Sequence, residues 1–421
     1  MDIEIIPKPL KGKLQAIASK SAAHRELIAA SLCQEKTLIE INKLSEDIEA
    51  TLRCLEALGS KFTIGPGAIE VKPISTALKN TILDCGESGT TLRLLLPVAS
   101  ALGSDSQIIG RGRLPERPIK ELKTALESGG MQFNSAHLPL KIQGQLKGGT
   151  YKIPGNISSQ YISGLLFALP LLEEDSEIAL TSPLQSVGYV EMTLEVLKKY
   201  GISIERLPSG YRIFGGQKYS SPGRITVEGD WSNGAFFIVA GAINGSVTLK
   251  GLDTNSTQRD KEIISLLSAG GANIDNKNGS IVAEVSRLKA QEIDLSEIPD
   301  LLPILAVAAS VSQGNTYFKN GARLRLKESD RLATTCSMLK ALGAEVEELP
   351  EGLLVKGKDS LRGGVTESFN DHRIAMAAAV AATVSEGSVV VKNAEAINKS
   401  YPDFFRDYKA LGGEIHVLNN R

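Results

Sequence analysis

A short phrase written six times along the chain constrains its fold more than any other feature. An apolar residue is followed four positions later by glycine and three positions further on by a second apolar residue. The copies are Leu55/Gly59/Phe62, Leu126/Gly130/Phe133, Leu197/Gly201/Ile204, Leu267/Gly271/Ile274, Leu339/Gly343/Val346 and Tyr408/Gly412/Ile415. Their glycines lie 71, 71, 70, 72 and 69 residues apart, so six units of about 70 residues account for nearly the whole chain. Each glycine closes an amphipathic stretch, such as residues 47–58, and reads as the C′ residue of a helix, where positive φ favours glycine. A strand is expected next, as in Lys61-Phe-Thr-Ile. Each unit also holds a helix that is apolar nearly all round and must be buried, for example residues 162–169, 235–242 and 374–381.

Strands alternating with helices place the chain in the α/β class. Its 421 residues, 42% of them apolar, are enough for two or three domains. Lys plus Arg is 47 against Asp plus Glu 48, so there is no global basic field for nucleic acid, and any anion must be drawn by local clusters. No apolar run reaches the roughly 20 residues that span a bilayer. The start, MDIEIIPKPL, lacks the basic and apolar regions of an export signal. Cys33, Cys54, Cys85 and Cys336 lie far apart without metal-ligand spacing and read as reduced thiols, so a cytoplasmic location is expected.

Every buried helix is preceded by small polar or charged residues: Ser19-Lys20-Ser21, Glu87-Ser88-Gly89-Thr90, Ser158-Ser159-Gln160, Asp230-Trp231-Ser232-Asn233, Pro299-Asp300 and Asn370-Asp371-His372-Arg373. Taken singly these are N-caps. Several carry Lys or Arg, however, and a cation beside a helix N-terminus is unfavourable unless an anion sits between them. Lys20, Arg25, Arg117, Lys327, Arg331, Arg373 and Lys399 all stand beside turn or helix-start residues, as a site for multiply charged ligands requires. Arg111 and Arg113 read equally well as a solvated face. No GxxxxGK[ST] loop occurs, and Gly110-Arg-Gly-Arg lacks the third glycine of a dinucleotide fingerprint, so nucleotide hydrolysis and Rossmann redox chemistry are disfavoured.

In order along the chain come SKSAAHR, GESGTTLR, LPERPI, SSQYISGL, DLLPILAVAAS, LKESDRL, NDHRIAMA and NKSYPDFF. Through these motifs the sequence, from about Pro7 to Phe405, resembles the enolpyruvyl transferase family, and within it the branch that acts on shikimate-3-phosphate. The resemblance implies transfer of the enolpyruvyl group of phosphoenolpyruvate to the 5-hydroxyl of shikimate-3-phosphate with release of phosphate. It implies no cofactor and no metal, and a monomer whose partners are those two small molecules, without nucleic acid or membrane. The implied fold has two lobes of three βαβαββ units each. One lobe would comprise residues 14–226 and the other residues 1–13 with 227–421, with the active site in the cleft between them.

Carried over residue by residue, the resemblance assigns Lys20, Ser21, Arg25, Ser158, Ser159, Gln160, Ser186, Tyr189, Asp300 and Lys327 to shikimate-3-phosphate. It assigns Lys20, Gly89, Arg117, Gln160, Arg331, Arg373 and Lys399 to phosphoenolpyruvate. The reaction needs two acid/base groups, for which Asp300 and Glu328 fit, with Lys20 and His372 assisting. Glu87, Leu94, Gly188 and Arg323 depart from residues common in such relatives, leaving glyphosate response open. A sister enzyme that uses UDP-N-acetylglucosamine usually presents a cysteine in the loop corresponding to residues 110–118, and none stands here. A two-lobed anion-binding protein without catalysis would not need Asp300, Glu328, Lys20 and His372 together.

Overall fold

All six phrase glycines adopt left-handed backbone, with φ of 114°, 98°, 78°, 92°, 89° and 89° from Gly59 to Gly412. The apolar residue four positions earlier supplies the carbonyl that accepts the N–H just past each glycine. Ser60 bonds to Leu55 (3.0 Å), Met131 to Leu126 (3.1 Å), Ile202 to Leu197 (2.9 Å), Ala272 to Leu267 (2.9 Å), Ala344 to Leu339 (3.0 Å) and Gly413 to Tyr408 (3.1 Å). This closure of a helix end requires a C′ residue that tolerates positive φ, so the repeated glycine is a backbone requirement.

The computed structural model describes residues 1–277 and 279–418. Among these the α-helices run α1 (Lys20–Ser31), α2 (Glu46–Ala57), α3 (Gly89–Ala101), α4 (Lys120–Ser128), α5 (Ser159–Ala168), α6 (Val187–Lys199), α7 (Trp231–Asn244), α8 (Ile263–Ala269), α9 (Leu302–Ser310), α10 (Arg331–Ala341), α11 (His372–Ala382) and α12 (Phe404–Ala410). The even-numbered helices end at the phrase glycines. The odd-numbered ones are the apolar set, and every residue of α9 and α11 is buried.

Six four-stranded sheets share one strand order. In a representative unit Gly149–Ile153 pairs in parallel with Ser176–Leu180, across the connection that contains α5. Ser176–Leu180 then pairs antiparallel with Gly210–Ile213, the second arm of a hairpin begun by Ile204–Leu207. This is a βαβαββ unit. Strands distant in sequence complete three of the sheets. Arg224–Thr226 runs parallel to Thr37–Glu40, Leu10–Gln15 runs parallel to Gly245–Lys250, and Asp2–Ile6 lies between Val389–Lys392 and Glu414–Leu418.

The chain divides into a continuous unit, Ala18–Val227, and a discontinuous one, Met1–Ile17 with Glu228–Arg421. Three sheets and one hydrophobic core belong to each. The first crossing falls a few residues beyond the expected residue 14 for a simple reason. Leu10–Gln15 is paired along its whole length with Gly245–Lys250, and Ile17 still accepts the Asp230 N–H (2.8 Å). Val227 stays with the continuous unit by donating its N–H to Glu40 (2.9 Å). The last three residues of the expected second lobe, 419–421, lie outside the described residues.

The polar clusters sit at the starts of the buried helices. Ser19, Ser88, Asp230 and Asp371 accept the N–H groups of Ala22, Thr91, Asn233 and Arg373 through their side chains. Ser158 caps α5 without a side-chain bond, and Asp300 lies in the 3-10 turn Pro299–Leu301 that leads into α9.

Candidate active site

In the continuous unit the N-termini of α1, α3 and α5 carry the assigned residues. Lys20, first in α1, donates to Asp47 of α2 (2.8 Å), so the chain itself places an anion beside this cation. Arg25 is 1% exposed and spans from α1 to α6, donating to the Ser21 carbonyl (2.7 Å), the Tyr189 carbonyl (2.9 Å) and the Thr193 hydroxyl (2.8 Å). Burial lowers its pKa to about 10, opposed by the nearby Tyr189. Arg25 thereby braces the turn that holds Ser186, whose φ of 53° is left-handed, and Tyr189.

Gln160 is fixed at both ends of its amide. Its oxygen accepts from Arg93 (3.0 Å) and its nitrogen donates to Thr90 (2.8 Å), which sets the orientation of the side chain. Arg93 also donates to the Pro118 carbonyl (3.2 Å) and lies 5.7 Å from the centre of the Tyr161 ring. The residue before that proline, Arg117, follows the 3-10 turn Leu114–Glu116 and is separated from α4 by Pro118 and Ile119, so it is not itself a helix start.

The Arg117 guanidinium lies against the start of α3, where a β-carbon on Gly89 would stand 2.6 Å from its Nη1 and 2.8 Å from its Cζ. Gly89→Ala is therefore expected to displace Arg117 while the fold survives. On the assignment that the resemblance implies for Gly89 and Arg117, titration of the variant should show phosphoenolpyruvate affinity reduced about tenfold or more, with shikimate-3-phosphate affinity nearly unchanged. An equal loss for both ligands would sink the assignment. Glu87 packs on the Arg111–Arg113 turn, with a Gly112 β-carbon position only 2.4 Å from its carboxylate oxygen. Glycine at 112, with φ of 58°, therefore serves both the turn and this close approach.

In the discontinuous unit the starts of α9, α10 and α11 form a knot of charges. Asp300 Oδ1 accepts from Arg331 (2.7 Å) and Lys327 (3.2 Å), and its Oδ2 accepts from Arg373 (3.2 Å). Arg331, 1% exposed, also donates to Glu328 (2.7 Å) and grips Asp371 through Nε (2.8 Å) and Nη2 (3.2 Å). Asp371 accepts in addition from the Ser329 hydroxyl (2.9 Å) and from the backbone N–H of Arg373 (3.0 Å). Lys399 donates to the Asn370 carbonyl (2.6 Å), and His372 is buried beside Asp371. Arg323 donates to the Ser296 carbonyl (2.7 Å).

Burial alone would raise the Asp300 carboxyl. Arg373, Lys327 and Arg331 outweigh it and hold Asp300 well below the usual carboxylate range. Burial lowers the Lys327 ammonium against the pull of Asp300. The same neighbours push Arg331 up: burial opposes its charge, while Asp371, Glu328 and Asp300 favour it more strongly. An anion on this face thus meets a carboxylate already shared by three cations.

Comparison with known proteins decides the family. The model for EPSP synthase (3-phosphoshikimate 1-carboxyvinyltransferase) matches residues 5–408. The chain belongs to the EPSP synthase family. Curated 3-phosphoshikimate 1-carboxyvinyltransferases from Clostridium novyi and Clostridium acetobutylicum are 41% and 42% identical to it, each alignment covering 98% of both sequences. A solved EPSP synthase from Acinetobacter baumannii aligns with a TM-score of 0.81 at 27% identity, over 99% of this chain and 100% of that one. The enolpyruvyl transferase NikO from Streptomyces tendae shares the fold alone, at TM-score 0.78 and 18% identity. The EPSP synthase family is an enzyme family, so the non-catalytic reading and the sister enzyme both recede.

Within the continuous unit Lys20, Arg25 and Gln160 are each anchored to a neighbouring element, and within the discontinuous one Lys327, Arg331 and Arg373 share Asp300. In the sequence Asp47 and Arg93 carry no role, and Thr90 and Asp371 none beyond the capping clusters, yet these four hold Lys20, Gln160 and Arg331 in place. Arg93, Thr90 and Asp371 lie inside quoted motifs, which was the available signal. Asp47 carried none, since an acidic residue opening an amphipathic helix is ordinary. Among the described residues no helix is long and apolar enough to cross a membrane.

Proposed function

We propose that the residues gathered at these helix starts carry the family's reaction, in which shikimate-3-phosphate and phosphoenolpyruvate give the enolpyruvyl ether and inorganic phosphate in the cytoplasm. The observation that supports this best is the Asp300 knot, an ionised carboxylate bound to Lys327, Arg331 and Arg373 beside a second carboxylate, Glu328. Shikimate-3-phosphate would engage Lys20, Ser21, Arg25, Ser158, Ser159, Gln160, Ser186, Tyr189, Asp300 and Lys327. Phosphoenolpyruvate would engage Lys20, Gly89, Arg117, Gln160, Arg331, Arg373 and Lys399.

The 5-hydroxyl must lose its proton as oxygen attacks C2, and C3 must gain one; C3 then gives the proton back as phosphate leaves. A base has to be ionised beforehand, which fits Asp300. Glu328, ion-paired with Arg331 (2.7 Å), fits the group that trades a proton with C3, with Lys20 and His372 assisting. Incubating the chain with both substrates and measuring phosphate together with the enolpyruvyl ether tests the reading. Ether formed on UDP-N-acetylglucosamine instead would overturn it.

No thiol takes part in this scheme. All four cysteines are buried. Burial pushes the Cys33 thiol up to about 12, and contact with Cys54 together with burial raises Cys85 well above its ordinary value. The quadruple Cys→Ser variant is expected to keep kcat within about threefold of wild type, because no step needs a thiolate. Abolished turnover in a folded quadruple variant would require a covalent route.

A further inference from the structure

His24 of the SKSAAHR motif takes none of the roles assigned above, yet it begins a chain of hydrogen bonds that joins α1, α2 and α3. From α1 its Nδ1 meets the Thr51 hydroxyl of α2 (2.7 Å), and Thr51 meets the Thr91 hydroxyl of α3 (2.7 Å). Thr91 in turn donates to the Ser88 hydroxyl (2.8 Å), which also caps α3 by accepting the Thr91 N–H (3.2 Å). The same Thr91 hydroxyl lies 3.4 Å from the Asp47 carbonyl of α2. His24, Thr51, Thr91 and Ser88 are each 1% exposed or less, so bulk water does not replace a broken link.

The direction of the chain is set at its far end. Thr91 has a single hydroxyl hydrogen, and it goes to Ser88 or to the Asp47 carbonyl, both of which lie beyond Thr91 as seen from Thr51. Thr91 therefore accepts from Thr51, and Thr51 accepts from His24, which places the imidazole hydrogen on Nδ1. The other ring nitrogen, Nε2, is left as an acceptor; it is buried and meets no hydrogen-bond partner among the described residues. Burial, with the nearby charges of Lys20 and Arg25, holds the His24 pKa well below its ordinary value. The ring is thus neutral and supplies this one donor.

The far end of the chain stands against residues assigned to the ligands. Asp47, whose carbonyl meets Thr91, holds Lys20 through its carboxylate (2.8 Å). Thr91 shares the first turn of α3 with Gly89 and with Thr90, whose hydroxyl accepts from Gln160 (2.8 Å). We propose that His24 is a positioning residue: through Thr51 and Thr91 it sets α2 and α3 against α1, so that Lys20, Gly89 and Gln160 meet phosphoenolpyruvate in one fixed geometry. This rests on the reading that those three residues bind that ligand. Each hydroxyl donates forward because the group behind donates to it, so a break at any link frees the rest to turn.

The test is steady-state kinetics on the full chain, with phosphoenolpyruvate varied at saturating shikimate-3-phosphate, beside urea denaturation of the same variants. Thr51→Val and Thr91→Val keep the shape and remove one link each, and His24→Leu removes the first donor. Each should lower kcat/KM for phosphoenolpyruvate about five- to tenfold, the worth of one neutral hydrogen bond. Any two together should lower it no further than one alone, because the chain is already broken. His24→Asn, whose amide nitrogen can stand where Nδ1 stands, should regain most of the loss. Losses that multiply in the double variants overturn the inference, as do variants that lose only urea stability at unchanged kcat/KM. So does His24→Asn as impaired as His24→Leu. Should His24→Leu not fold, Thr51→Val with Thr91→Val decides the matter alone. Wild type that forms no ether from the two substrates would instead refute the ligand reading, and this inference with it.

Discussion

Replacing Asp300 by alanine is expected to lower kcat by about 10² to 10⁴-fold, the usual worth of a positioned proton-transfer group. The loss has two sources that a second variant separates. Asp300→Ala removes the base and also leaves Lys327, Arg331 and Arg373 without their shared anion. Asp300→Asn keeps the shape and some hydrogen bonds while abolishing the charge, so a similar fall in kcat would assign the effect to ionisation. Because the three cations hold Asp300 well below the ordinary carboxylate range in the free protein, an acid limb of the kcat/KM profile within that ordinary range is expected to belong to another group. Glu328→Gln should lower kcat as strongly if Glu328 trades a proton with C3. Near wild-type turnover in Asp300→Asn would remove Asp300 from the chemistry.

Arg331→Met should unfold far more readily than wild type. Arg331 is 1% exposed, and its guanidinium meets three carboxylates: Asp371 through two nitrogens, Asp300 and Glu328. Removing the cation from a buried ion cluster strands charges of one sign and costs about 3 to 5 kcal/mol, which urea denaturation resolves as a lower midpoint. Turnover should fall by more than about 10²-fold in the folded fraction, because Asp300 and Glu328 lose their common anchor. Arg331→Lys keeps the charge, yet a single ammonium cannot reproduce the fork, and an intermediate loss of about 1 to 3 kcal/mol in kcat/KM is expected. A stable Arg331→Met protein with only a raised KM for phosphoenolpyruvate would make Arg331 a plain ligand residue.

The architecture was legible because one backbone event is written in the same residues six times. A helix that closes with the N–H of C″ on the carbonyl of C3 demands a left-handed C′ residue, and glycine meets that demand at Gly59, Gly130, Gly201, Gly271, Gly343 and Gly412 alike. The buried helices were equally plain, since a stretch such as α9 has no polar face to offer water. Less visible was the neutralisation of each cation. The carboxylate that meets Lys20 lies 27 residues away at Asp47, and the one that grips Arg331 lies 40 residues away at Asp371. Periodicity reports which residues face a core; it does not report which distant charges meet. The same limit hid Arg93, whose contacts with Gln160 and Pro118 span 67 and 25 residues.

The placement of Asp2–Ile6 between Val389–Lys392 and Glu414–Leu418 makes the order of synthesis matter. A ribosome releasing this chain completes every strand of the continuous unit once Val227 has emerged, so that unit can fold while translation proceeds. The opening strand, Asp-Ile-Glu-Ile-Ile, must wait for partners nearly four hundred residues downstream, as its pairing of Ile3 with Val391 requires. Until then a strand whose Ile3 and Ile5 belong in the core stays unpaired and open to other chains. Slow codons or a chaperone acting late in translation should therefore affect recovery of the discontinuous unit, and with it the Asp300 knot, more than the half that is finished first.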